Sequence, residues 1–473
     1  MTTPPGASGA AADHDSRASR LFWAAWATLA AFGTYFCMYA FRKPFTASTY
    51  ADTAFAGIDF KTILVVAQVV GYTLSKFIGI RVIAEMNPAR RAAALLALIA
   101  IAEAALLLFA ILPRPWNAVG LFLNGLPLGM VFGLVMGFLE GRRLTEALAA
   151  GLCAAFVVAD GAVKSVGAWL LQAGIPEDWM PAVAGALFLP PIALGAWMLQ
   201  RIPPPSARDI AARARRDQMS RHDRRDAIGR HLAGLLLITA MYLMLTVVRS
   251  IRADFAPEIW KGLGAPAAPA TFSLSEILVA AGVLLVLACT VFIRDNRRAF
   301  FAALFTCAVG FAVLAAALLG HRAGALGPFP VMVLIGLGMY LPYIAVQTTI
   351  FERMLAMTRD RGNIGFFIYF ADAFGYLGYV AVLLGKGALS SSADIFNLFI
   401  AVCWGAFALS VLCLIGAWIH FARANRPAHA NPNPSPASAD STVRPTLGSE
   451  HADHAHRLQP VIHRSAAPSN VHR

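Results

Sequence analysis

Charge is what this chain is short of. Only 14% of its 473 residues are Asp, Glu, Lys or Arg, while 58% are hydrophobic. A soluble domain carries about 25% charged residues, so this balance excludes an ordinary water-soluble fold. Cysteine is also sparse. The six cysteines (Cys37, Cys153, Cys289, Cys307, Cys403 and Cys413) sit in apolar stretches without metal-ligand spacing, which argues against a disulfide framework or a zinc site. They read as small buried hydrophobes. Of eleven histidines only His420 falls in an apolar stretch, at its end, so any proton coupling falls to carboxylates. Residues 1–20 have no apolar core, and no cleavable signal peptide is expected.

What the chain does have is apolar length. Twelve windows of about 20 residues can each cross a hydrocarbon core as a helix. They lie near 21–41, 61–83, 92–112, 117–139, 144–172, 179–200, 232–252, 272–293, 299–319, 328–350, 363–385 and 394–420. Such runs are far too long for membrane strands, which leaves a helical bundle. The predicted fold is an all-α integral membrane protein of twelve transmembrane helices.

The net charge of +13 could suggest nucleic acid, but its placement argues otherwise. Arg90 and Arg91, Arg142 and Arg143, and Arg297 and Arg298 fall in alternate connections, whereas the intervening ones hold mainly Arg114, Lys261 and Arg322. Cationic loops stay in the cytoplasm, so both termini are expected there, in a multi-pass protein of the inner or plasma membrane. No nucleic-acid partner is expected.

Residues 201–231 interrupt the chain at its middle with Pro203-Pro204-Pro205 and nine arginines interleaved with four aspartates. The expected organisation is an N-terminal tail (1–20), a six-helix bundle (21–200), an Arg-rich cytoplasmic linker (201–231), a second six-helix bundle (232–421) and a disordered tail (422–473). The linker reads first as a solvated segment resting on anionic lipid. His451, His454 and His456 lie in the tail, where composition favours disorder. No metal or other cofactor is expected.

A charge placed inside an apolar helix marks a functional-site hypothesis. The first segment holds Tyr35, Tyr39, Arg42 and Lys43, with Tyr35, Tyr39 and Arg42 on one face. The second holds Tyr72 and Lys76 on one face, the seventh Arg249, Arg252 and Asp254, and the eleventh Asp372 and Tyr376. The cations come from both halves, as an anion site at a repeat interface needs. Arginine suits phosphate or carboxylate because its planar fork donates two parallel hydrogen bonds, and lysine adds a point charge. For Arg42 and Lys43 the competing reading is a headgroup anchor, and Lys43 is assigned to it.

The ordered set of motifs resembles the organophosphate:phosphate antiporters of the major facilitator superfamily. It comprises Tyr35-x-x-x-Tyr39-x-x-Arg42-Lys43-x-Phe45, Tyr72-x-x-Ser75-Lys76-Phe77, Asn87-Pro88, Arg249-x-x-x-x-Asp254-Phe255-x-Pro257, Glu276, Tyr340-x-Pro342 and Phe374-Gly375-Tyr376-Leu377-Gly378. The resemblance implies two pseudo-symmetric six-helix bundles. It also implies that Arg42 and Arg249 grip a phosphate, that Lys76 is a cavity lysine, and that Tyr35, Tyr39, Tyr72, Tyr340 and Tyr376 line the path. The chain departs from that family in three places. It lacks a histidine in the fifth segment, has Thr246 and Ser250 flanking Arg249, and carries Ala84-Glu85 with its acidic position shifted by one.

Depth leaves two points open. A helix starting at Arg20 puts Arg42 about 33 Å along its axis at 1.5 Å per residue. That is the far boundary, unless the helix enters late, tilts or breaks near Pro44. By the same measure spacing favours Arg252 as the partner of Arg42, whereas the motif favours Arg249. Matching depths also predict two ion pairs between the halves. Lys76–Asp372 would be an inner latch, and Lys164–Glu276, assisted by Asp160, an outer one. Asp160 and Lys164 fit equally well as an i, i+4 pair within one helix.

Weaker signals remain. Glu103 and Glu140 are read as structural hydrogen-bonding groups before proton carriers. Gly125, Gly129, Gly133 and Gly137 have the spacing of close helix packing. Gly336-x-Gly338 lacks the strand context of a nucleotide loop. The expected function is secondary active transport of a small anionic, phosphorylated organic solute by a monomer, either in exchange for phosphate or in symport with protons. A transporter-like receptor for such a metabolite is the alternative. No catalytic cluster gathers at one interface, so an enzyme is not expected.

Overall fold

The computed structural model describes residues 17–50, 54–55, 57–84, 86–139, 145–203, 221–265, 268–290, 293, 295–358, 364–389 and 395–424. Residues 1–16 and 425–473 of the two tails, Glu140 and residues 204–220 of the Arg-rich linker lie outside them. The described residues belong to one compact unit.

They are almost wholly helical. The first half holds α1 (Arg17–Met38), α2 (Phe60–Ala84), α3 (Arg91–Ile111), α4 (Ala118–Leu139), α5 (Thr145–Gln172) and α6 (Met180–Gln200). The second holds α7 (Arg221–Asp254), a short α8 (Ala256–Gly262), α9 (Pro269–Thr290), α10 (Asn296–Arg322), α11 (Pro328–Ala345), α12 (Phe351–Thr358), α13 (Ile364–Leu389) and α14 (Ile395–Ala424). A π-helical turn, Val346–Ile350, joins α11 to α12. The only strands among the described residues, Ala54–Phe55 and Ile58–Asp59, pair antiparallel ahead of α2.

Ten helices among the described residues are long and apolar enough to cross a membrane. Helices α5 and α13 pack among them. The surface is apolar on the outside, with Leu285 70% and Leu412 67% exposed, while Arg42, Lys43, Lys76, Lys164, Arg249 and Arg252 are buried. Lipid tolerates that inversion and water does not, which makes this a multi-pass membrane protein.

Packing follows the small residues. Helix α2 lies directly on α4 because neither backbone carries a side chain at the crossing. A Cβ on Gly71 would come 2.2 Å from the Phe122 carbonyl oxygen, and one on Gly125 would come 2.3 Å from that of Gln68. Gly129 packs on Ser75 and Gly137 on Arg91, so the four-residue spacing serves helix contact. Gly336 and Gly338 likewise meet Arg252 and the α10 backbone. The two halves touch along two seams, α5 on α9 and α2 on α13.

The first segment does not run straight to Phe41. Helix α1 stops at Met38, a 3-10 turn spans Tyr39–Phe41, and a second turn, Pro44–Ala47, follows. Pro44 cannot continue an α-helix, and Arg42, at the break, is buried inside the bundle. The end of the bundle where α1 begins is called here the near end, and the opposite end the far end.

Candidate functional site

The break in α1 sets the site. Arg42 is only 3% exposed, and its guanidinium lies 3.8 Å from the centroid of the Tyr72 ring and 5.7 Å from that of Tyr376. The headgroup-anchor reading of Arg42 fails on this burial. Arg249, on α7, donates from Nη2 to the Tyr376 hydroxyl at 3.0 Å and lies 4.8 Å over the Tyr343 ring. Tyr376 therefore stands between two guanidiniums, one from each half, with its ring edge-on to Tyr72 at 5.3 Å.

These groups surround a central cavity lined by Tyr35, Tyr39, Tyr72, Lys76, Phe132, Phe156, Arg249, Tyr343, Gln347, Asp372 and Tyr376. Its space of about 30 Å³ is on the scale of one or two water molecules. Arg42 does not line that space in this conformation, because the Tyr72 and Tyr376 rings cover it. Tyr340 is off the wall as well, buried behind Tyr343 with 6.2 Å between ring centroids.

Lys76 and Asp372 form a buried ion pair between α2 and α13 on the near side of this cavity. Tyr242 donates to the other oxygen of Asp372 at 2.9 Å, and Gln347 donates to Tyr242 at 2.6 Å and to Tyr343 at 3.1 Å. Gln347 sits in the π turn of the tenth segment, a distortion often found at functional positions.

The outer pair is built differently from the expectation. Lys164 pairs with Asp160 one turn away on α5, and Glu276 pairs with Arg252 at 2.6 Å. Lys164 has its carboxylate within its own helix, and the arginine fork of α7 reaches Glu276 first, so no Lys164–Glu276 pair forms. Arg252 also donates to the Met332 carbonyl at 3.2 Å, which turns it away from the cavity. Of the two arginines, Arg249 lines the cavity and Arg252 does not.

The far end is closed by pairs that the sequence reading missed. Lys43, assigned above to a headgroup anchor, is buried and bound to Asp254 of the other half, whose second oxygen accepts from Tyr379 at 2.9 Å. Lys61 bridges Glu258 at 2.6 Å and the Thr46 carbonyl at 2.9 Å. Ser165 on α5 meets Ser273 on α9 at 2.6 Å. Two signals were available: Lys61 opens an apolar segment, and Glu258 follows Pro257 directly after the Arg249–Asp254 motif.

Among the described residues no cluster of histidine, cysteine or carboxylate could hold a metal ion. Buried Arg42 and Arg249 each lack a carboxylate partner there, and each keeps an unpartnered Nε. Glu103 is a further buried carboxylate with an unpartnered oxygen, against Gly185 of α6.

A helical bundle with its charges gathered inside and its apolar side chains outside is a membrane protein, and solved structures share this fold. A D-xylose–proton symporter matches with a TM-score of 0.58 at 13% identity, over 84% of this chain and 97% of that one. The nucleoside transporter NupG matches with a TM-score of 0.55 at 14% identity, over 84% and 99%. A POT family transporter in complex with 5-aminolevulinic acid matches with a TM-score of 0.54 at 10% identity, over 84% and 96%. The chain shares the fold of these transporters. Residues 44–424 match the family of unknown function DUF5690, and the chain belongs to that family. No curated protein sequence matches it.

Proposed function

We propose that this protein is a secondary transporter that moves a small anionic solute by alternating access between its two halves. The observation that carries this reading is the pair Arg42 and Arg249. The buried lysines and Arg252 all have carboxylate partners, namely Lys43–Asp254, Lys61–Glu258, Lys76–Asp372, Lys164–Asp160 and Arg252–Glu276. Arg42 and Arg249 have none among the described residues, and an uncompensated buried charge costs several kcal/mol. A solute carrying two negative charges would compensate both. A phosphate monoester meets that requirement and offers the geometry of two guanidinium forks.

The tyrosines around the cavity suit the organic part of such a solute, with aromatic faces for packing and hydroxyls for orientation. The present cavity is too small for it, and both the Lys76–Asp372 and the Lys43–Asp254 pairs are closed. The conformation therefore fits a contracted intermediate, in which Tyr72 and Tyr376 take the place of the anion against Arg42. Ligand binding would move the rings aside and shift the balance of states by its differential affinity.

The same reading has α5 and α13 complete a set of twelve spans in two pseudo-symmetric bundles. It puts both termini and the Arg-rich linker in the cytoplasm of a cell whose inner or plasma membrane holds the protein. Exchange with phosphate or symport with protons would supply the driving force. Uptake into proteoliposomes tests it, using labelled phosphorylated metabolites, inorganic phosphate and carboxylates beside sugars and nucleosides. Uptake confined to uncharged solutes would overturn it.

A further inference from the structure

We infer that Gln68 and Asn124 are positioning residues that hold the break in α1 and thereby fix Arg42 in the site. Arg42 as a ligand-binding group rests on the function proposed above; the clamp itself rests on hydrogen bonds. Gln68 Nε2 donates to the Arg42 carbonyl and to Asn124 Oδ1, both at 2.9 Å. Asn124 Nδ2 donates to the carbonyls of Phe41 and Ala102, both at 3.0 Å. Both side chains are buried, Asn124 completely. Two consecutive carbonyls at the helix break, those of Phe41 and Arg42, are thus tied to α2 and α4, and through Ala102 to α3.

A helix that breaks inside a membrane leaves backbone groups that lipid cannot satisfy, so neighbouring side chains must do it. Buried amides at this place are costly unless every donor is used, and here both amide protons of each have an acceptor. The clamp also has a geometric precondition. Gln68 reaches Asn124 because α2 and α4 touch at Gly71 and Gly125. Gln68, Tyr72 and Lys76 follow one another at four-residue spacing on α2 and share one face. That single stripe holds the backbone of Arg42, stacks on its guanidinium and pairs with Asp372.

The clamp makes Arg42 rigid with respect to the first half. Opening between the halves then separates Arg42 from Arg249, since Arg249 belongs to α7 of the other half. Without the clamp, the segment 39–43 would relax toward a regular helix end and carry Arg42 away from Tyr72.

Backbone amide exchange in the whole protein, in nanodiscs, tests this without a ligand. Asn124→Leu and the milder Gln68→Met are each expected to raise exchange at residues 39–47 by about tenfold, the loss of one or more buried hydrogen bonds, with α3 and the outer turns of α2 and α4 protected as in wild type. Unchanged protection at 39–47 would overturn the clamp, as would a loss spread evenly along α2 and α4, the mark of a general packing role. Inorganic phosphate is the probe for a second readout. Variants that keep the wild-type melting temperature but bind it about tenfold more weakly support positioning, and equal binding contradicts it. Failure of wild type to bind phosphate or any other anion counts against the proposed function alone, and the exchange result still decides the clamp.

Discussion

Lys76 on α2 and Asp372 on α13 form a buried ion pair that joins the two halves of the chain one helical turn from the Tyr72 and Tyr376 rings that cover Arg42. Its place ties the central cavity to the contact between the halves. Lys76 follows Tyr72 by four residues, and Asp372 precedes Tyr376 by four.

Removing either member strands the other. Asp372→Asn or Lys76→Gln alone is expected to destabilise the contracted state by about 3–5 kcal/mol, the usual cost of an uncompensated buried charge. The double variant should recover part of it. Thermal melts of the two single variants and the double variant measure the coupling, and additive losses would show that the pair does not act as a unit.

Arg249 and Arg252 lie three residues apart and should behave in opposite ways. Arg252→Ala leaves Glu276 buried without its cation and is expected to lower the melting temperature of the ligand-free protein. Arg249→Ala relieves an unpaired charge, so it should leave that temperature unchanged or raise it, and should abolish stabilisation by anions. Melts with and without anion separate the two.

The far end depends on Lys43–Asp254 and its Tyr379 hydrogen bond. Asp254→Asn should favour opening there. In a background with the native cysteines replaced, Ser165→Cys reports that opening, because Ser165 lies at the α5–α9 seam. Its labelling by a membrane-impermeant maleimide is expected to rise at least about tenfold when the pair is broken. Equal rates would remove the pair from the gate.

Close approach of α2 and α4 gives a prediction of stability alone. A Cβ at Gly125 would meet the backbone of Gln68 and Tyr72, and neither can move without shifting α2. Gly125→Ala is expected to cost about 1–3 kcal/mol by overpacking, whereas Gly405→Ala, with open space around it, should be neutral. Melting curves of the two variants make the comparison.

Much of this was legible in the sequence, and for physical reasons. Apolar runs specify helices by length, so the bundle could be anticipated. Lys76 and Asp372 could be matched because each lies at a definite depth in a regular helix. Depth failed where the helix was not regular. The break after Met38 buried Lys43, which straight-helix counting had left at the membrane surface. Lys164 and Glu276 matched in depth too, yet depth cannot tell which of several neighbouring charges is taken first, and Asp160 and Arg252 were nearer. Gln68 and Asn124 were overlooked because a neutral amide carries no charge signal, although its burial in an apolar helix demands partners just as strictly.

Thermal stabilisation of purified wild type, Arg42→Ala and Arg249→Ala is the most direct measurement, across phosphorylated metabolites, inorganic phosphate, carboxylates and uncharged sugars and nucleosides. Wild type should be stabilised by anions, most by those bearing two charges, and both variants should lose that response while remaining folded. Stabilisation of wild type by uncharged solutes only, or an anion response that survives in both variants, would contradict a site built on Arg42 and Arg249.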